Sequence, residues 1–285
     1  MIQTGISRAD GIRIAIFAVV YLLFGLLMPI QGYVTAEFAV GTAVVAVLYG
    51  LVLYYLNTGI PLGRKARILI TWLAVYVVQM LNPVLEGVFF STLFEGHPES
   101  VFGAIVFGLV LTLPTAVAAG LLFKPSGEIK SFAELRRDYF SATRWPQFVA
   151  RFVVASVLWM AIYFLFGSIV GPIVSPYYTE GGVGYELVIP PVGILILLQT
   201  LRGFIYALGI LPIVLSTRFS RTRLAGVLAG LLYVGGALAI FVISAQFPVF
   251  LRVVHGLELF ADSLFAGVVI AYILGRRIRP VVQAA

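Results

Sequence analysis

The chain has 285 residues, 61% of them hydrophobic and only 11% charged, with a formal net charge of +7 and a mean hydropathy of +1.06. A soluble domain carries about 25% charged residues, so this composition excludes an ordinary water-soluble fold and makes lipid the expected solvent. With no cysteine, disulfides, thiolate metal sites and cysteine nucleophiles are excluded as well.

About 20 apolar residues are needed to cross the hydrocarbon core. By that length the sequence predicts eight spans, at 12–31, 36–56, 66–90, 100–123, 148–173, 189–215, 223–246 and 250–275. The expected fold is an all-α polytopic helical bundle, one transmembrane domain over 1–285. The first apolar run is longer than a secretory h-region and reads as a retained helix.

Loop charge predicts orientation. Arg8 and Arg13 open the chain, and the first hairpin carries only Glu37. Arg64, Lys65 and Arg67 follow in the second loop, and Glu95, His97 and Glu99 in the third. The fourth loop is strongly basic, the fifth carries Glu180 and Glu186, the sixth Arg218, Arg221 and Arg223, and the tail Arg276, Arg277 and Arg279. Basic and acidic loops alternate throughout, which places both termini on the cytoplasmic side of a plasma membrane. Only Arg202 and Arg252 fall outside this alternation. The positive charge is assigned to an anionic membrane surface, not to nucleic acid, and membrane lipids are the expected partners.

Within the third span, Asn82-Pro83 marks a kink, as do Pro114 in the fourth and Pro212 in the sixth. In the fourth loop Ser131-Phe132-Ala133-Glu134 matches a capping box. Phe132, Leu135, Tyr139 and Ala142 then recur at helical spacing up to Trp145-Pro146. This predicts a short amphipathic helix over 131–145 on the cytoplasmic surface, either a connector or a docking site for a cytoplasmic or membrane partner. The fifth loop, rich in Tyr and Gly from Ser175 to Glu186, reads as an interfacial aromatic loop. Gly226 and Gly230 in the seventh span form a helix-packing motif. A likeness between the stretches from Glu86 to Gly96 and from Glu258 to Gly267 is ascribed to chance.

Three spans each carry a polar stripe at i, i+3, i+7. Gln79, Asn82 and Glu86 lie on the third, Gln199, Arg202 and Tyr206 on the sixth, and His255, Glu258 and Asp262 on the eighth. Facing lipid, each stripe would leave buried polar groups unsatisfied, so the three are expected to face one another. At a rise of about 1.5 Å per residue, Arg202 and Asp262 fall near the midplane, and Glu86 and Glu258 about 10 Å outward of it. An Arg202–Asp262 ion pair and a Glu86–Glu258 like-charge pair are therefore expected, in a site opening outward.

Intramembrane ionisable groups are functional candidates. No cofactor is called for with certainty. His255, Glu258 and Glu86 form a candidate ligand set for a divalent metal. No Walker loop, dinucleotide fingerprint or His-Glu-x-x-His motif is present. The leading expectation is a transporter-like protein for a proton, a cation or a small polar solute. The alternatives are an intramembrane hydrolase or transferase acting on a lipid-embedded substrate, and a non-catalytic membrane subunit with a structural polar core.

Overall fold

A computed structural model describes residues 6–27, 35–179, 188–238 and 248–276, without the side chains of 27, 93 and 177–179. The described elements are α1 (Arg8–Leu27), α2 (Ala36–Thr58), α3 (Arg64–Tyr76), a π segment (Val77–Leu81), α4 (Asn82–Phe90), a 3₁₀ turn (Thr92–Phe94), α5 (Pro98–Leu122), α6 (Phe132–Ser141), α7 (Trp145–Thr179), α8 (Val192–Ser216), α9 (Arg221–Gly230), a second π segment (Leu231–Leu238) and α10 (Val249–Leu274). Among the described residues seven helices are long and apolar enough to cross a membrane. The protein is an all-α, multi-pass helical bundle. The seventh predicted span, 223–246, begins as α9 and the second π segment and runs into residues 239–247, which lie outside the described residues; the eighth, 250–275, is α10.

The outward faces are apolar, as lipid demands. Val40, Phe102, Val110, Leu197 and Leu257 are all more than 60% exposed. Inside, α10 packs on α9 and α7, α7 on α8, α3 on α5 and α1 on α2. Small residues set two crossings in which a helix meets its neighbour's backbone. A Cβ at Gly203 would stand 2.1 Å from the Ser156 carbonyl oxygen, and one at Gly267 2.6 Å from the Ala229 nitrogen. The expected Gly226–Gly230 motif does not act as a pair. Gly230 packs on Val52, but Gly226 meets nothing within 4 Å, because the α10 contact uses Ala225 and Ala229 instead.

The third predicted span is a single rod with a changed pitch in its middle. Pro83 has no N–H to offer the preceding turn, and the backbone relaxes into the π segment. The Asn82 N–H bonds to the Val77 carbonyl, five residues back, and the Asn82 Nδ2 donates to the same oxygen at 3.2 Å. Here a π segment takes the place of the expected kink. The segment from 231 crosses it, with Gly236 against Val78.

Helix α7 is longer than its predicted span, continuing through Pro172 and Pro176 to Thr179. Ser175 to Thr179 are therefore helix, not loop, and the rest of the predicted aromatic loop, 180–187, lies outside the described residues. At its other end Trp145-Pro146 starts α7 and does not terminate α6. Proline is suited to a first helical turn, where its missing N–H is no loss.

Helix α6 has the predicted capping box. The Glu134 N–H donates to the Ser131 Oγ at 3.2 Å, and the Ser131 N–H to the Glu134 carboxylate at 2.7 Å. Donors from Ser131 hold the Glu134 carboxyl below its usual range. The apolar face of α6 is covered by the bundle itself: Leu135 and Tyr139 are buried, and the Tyr139 hydroxyl donates to the Leu274 carbonyl at 2.7 Å. Arg276 donates to the carbonyls of Leu135 and Leu215, joining α6 to the end of α8.

Candidate functional site

Arg202 sits midway along α8, beside Gly203. The missing side chain there lets α7 approach until the Trp159 indole N–H donates to Gln199 Oε1 at 3.1 Å. The same Gln199 oxygen accepts from Arg202 Nη1 at 3.1 Å. Arg202 then reaches across to α4: Nη1 donates to Glu86 Oε1 at 2.7 Å and Nη2 to Glu86 Oε2 at 2.9 Å. This two-point fork is the strong geometry for a guanidinium and a carboxylate. The rings of Trp159 and Tyr206 flank the guanidinium carbon at 5.8 and 6.0 Å from their centroids.

The expected Arg202–Asp262 pair is thus replaced by Arg202–Glu86. Helical side chains lean toward the N-terminus of their own helix. The third and sixth spans run in opposite directions, so Glu86 and Arg202 lean toward each other, and the long arginine stem closes the offset in depth. Asp262 is short and sits on α10, which runs parallel to α8, so it has no matching opposed lean to bring it to the guanidinium.

The expected Glu86–Glu258 pair is not formed either. Glu258 Oε2 meets His255 Nδ1, one turn back on the same helix, at 2.5 Å. Its other oxygen faces Gly167 of α7, where a Cβ would stand 3.6 Å away. Glu86 is held by arginine and Glu258 by histidine, so the set of His255, Glu258 and Glu86 is not assembled as metal ligands. Among the described residues no group of three or more His, Cys, Asp or Glu side chains is arranged to hold a metal ion.

Asp262 is the outlier. It is 1% exposed, and neither carboxylate oxygen has a hydrogen-bond partner among the described residues. It lies within electrostatic reach of Glu258, Arg202 and Glu86. On the other two polar stripes further buried atoms lack partners among the described residues: Gln199 Nε2, Arg202 Nε and, one turn from Glu86, Asn82 Oδ1. Two donors and three acceptors therefore stand unsatisfied on the three polar stripes among the described residues. Glu86 is the exposed edge of the site, its side chain 36% accessible against 5% for Arg202.

Gln79 is not part of the site. The π segment turns it to the α1 side, where Nε2 donates to the Tyr21 hydroxyl at 3.0 Å. Arg252, one of the two residues outside the loop-charge alternation, pairs with Glu37 of α2. Sequence reasoning missed the whole contribution of α7: Trp159, Gly167 and the close approach at Ser156. An indole in the middle of a span, away from the interfaces where Trp is usual, was the available signal.

Comparison with protein-family models, with curated proteins and with solved structures found no match to this chain.

Proposed function

We propose that the protein is a transporter-like membrane protein that carries a proton or a small cation through the site formed by Asp262, Arg202 and Glu86. The observation that supports this reading is Asp262, a buried carboxyl group with no donor on either oxygen among the described residues. An uncompensated buried charge costs several kcal/mol, so a proton or a cation must neutralise it. Nearby, Arg202 is committed to Glu86, which is itself partly accessible. Protonation of one Asp262 oxygen leaves the Arg202–Glu86 fork in place. Loss of that proton creates a second carboxylate competing for one guanidinium. Such competition gives the site two charge states with different helix contacts, which alternating access requires. The two π segments crossing between α4 and α9 supply a non-ideal, adjustable backbone beside it.

The test is proton and cation flux in liposomes reconstituted with the purified protein, with a pH-sensitive dye inside. Asp262→Asn should abolish a flux that the wild type shows, while the protein stays folded. Undiminished flux in Asp262→Asn would sink the proposal, as would a wild type that moves neither protons nor cations.

A second reading is favoured by the completeness of the Trp159–Gln199–Arg202–Glu86 network. This is a non-catalytic subunit in which the fork holds α4, α7 and α8 together. It predicts that Glu86→Gln unfolds the bundle and that no variant has a flux to lose.

A further inference from the structure

At the opposite end of the third span from Glu86, the basic loops form a built surface. Three segments are tied by backbone hydrogen bonds: the Ser126 N–H donates to the Thr58 carbonyl at 2.9 Å, Lys130 N–H to Pro61 at 2.8 Å and Arg218 N–H to Gly59 at 3.2 Å. Gly127 takes a positive φ of 86°, the left-handed turn that folds this loop back. Arg67 is 3% exposed and donates Nε to the Leu62 carbonyl at 3.1 Å and Nη2 to that of Gly120 at 3.2 Å, with Nη1 on that of Phe123. It clamps the start of α3 to the end of α5, and among the described residues its charge is met by carbonyl dipoles.

Against this clamp lies a cleft of about 310 Å³, lined by Arg64, Arg67, Lys124, Gly127, Leu121 and Ile129 among others. Three cations line it and no acid does; Glu128, the nearest acid in the loop, is not in its wall. Neither Arg64 nor Lys124 is ion-paired among the described residues. Leu121 and Ile129 are 50% and 60% exposed, so the same cleft presents an apolar wall to the hydrocarbon.

We infer that this cleft binds the phosphate of an anionic phospholipid headgroup. Arg64 and Lys124 meet the phosphate, and Leu121 and Ile129 lie along the first part of an acyl chain. A soluble anion would use the charges but not the apolar wall, so the lipid is the occupant that fits both. Arg67 has one donor on each of its three nitrogens committed to a carbonyl and acts as fixed positive potential behind the phosphate. Gly63, the cap of α3, has no side-chain cap bond, which leaves the positive end of that helix facing the same side. The inference is independent of transport through Asp262.

The purified full-length protein in detergent is titrated with phosphatidylglycerol or phosphatidylcholine, and bound lipid is counted by native mass spectrometry. Phosphatidylglycerol should bind roughly tenfold more tightly than phosphatidylcholine, and Arg64→Gln/Lys124→Gln should abolish that preference. Arg136→Gln/Arg137→Gln, which removes the same charge from the exposed face of α6, should leave it intact. Lys124→Gln alone, at an exposed loop position, should weaken it in the same direction. Equal loss in both double variants would reduce the effect to bulk charge and overturn the assignment. So would no loss in the first double variant, or displacement of the lipid by millimolar inorganic phosphate.

Discussion

At the scale of single residues, the two acids nearest Arg202 behave oppositely. Glu86 is the partner of the buried guanidinium, and removing one member of such a pair leaves the other charge uncompensated. Glu86→Gln should therefore destabilise the protein by about 3 kcal/mol, toward the low end for buried pairs because Glu86 is partly accessible. Asp262 satisfies no donor, so Asp262→Asn removes a potential charge and breaks nothing. It should be neutral or stabilising, by up to about 1 kcal/mol. Unfolding by denaturant in detergent micelles measures both; if Asp262→Asn is the more damaging of the two, the description of the site is wrong. The residue types needed for this site are plain in the sequence, but their pairing is not. Pairing depends on which way each side chain leans and on how far an arginine stem reaches, and depth along a helix does not capture either.

Elements impose their own tests. The crossing of α7 on α8 depends on Gly203, where a Cβ would meet the Ser156 carbonyl oxygen, a backbone atom. Gly203→Ala should cost about 1–3 kcal/mol through overpacking and should separate Trp159 from Gln199, visible as a change in tryptophan fluorescence. Gly226→Ala meets open space and should be neutral, or stabilising by up to about 1 kcal/mol from helix propensity. A motif of two glycines four apart would have led to the reverse ranking. Spacing alone does not say which face of a helix is occupied. For α6, the Tyr139 hydroxyl holds the helix to the Leu274 carbonyl, and Tyr139→Phe should cost about 1 kcal/mol. The α6 cap is also acid-sensitive. The Glu134 carboxyl is held below its ordinary value, so the cap contributes fully above that ordinary value and is lost as pH falls through the lowered one. Amide protection in α6, taken relative to the intrinsic base-catalysed exchange rate at each pH, should fall over that acid range and not on the alkaline side.

The whole molecule can be tested for the orientation that loop charge implies, with both termini and the basic loops cytoplasmic. A chain without cysteine is suited to single-cysteine labelling. His97→Cys, in the acidic loop between α4 and α5, should react with a membrane-impermeant maleimide added outside intact cells. Ser126→Cys, in the basic loop before α6, should react only after the membrane is opened. Both positions are exposed, so burial does not confound the result. The reverse pattern would invert the topology and with it the side on which Glu86 opens.

The sequence by itself determined the solvent, the fold class and the approximate place of the described helices, α7 running past its predicted end, because apolar length and loop chemistry are local properties that lipid enforces one segment at a time. It also determined the capping box of α6, which needs only residues 131 and 134. It marked Arg202, Glu86, Glu258, His255 and Asp262 as groups that must find partners, since no such group is stable against hydrocarbon alone. Only the tertiary structure decided who those partners are. The π segment at 77–81 turned Gln79 toward Tyr21 and set Glu86 against α8, and Gly203 admitted Trp159. With arginine and histidine taken by the two glutamates, Asp262 was left without a donor. Partner choice depends on the rotation and separation of helices far apart in sequence, and one extra residue in a turn or one absent side chain is enough to change it.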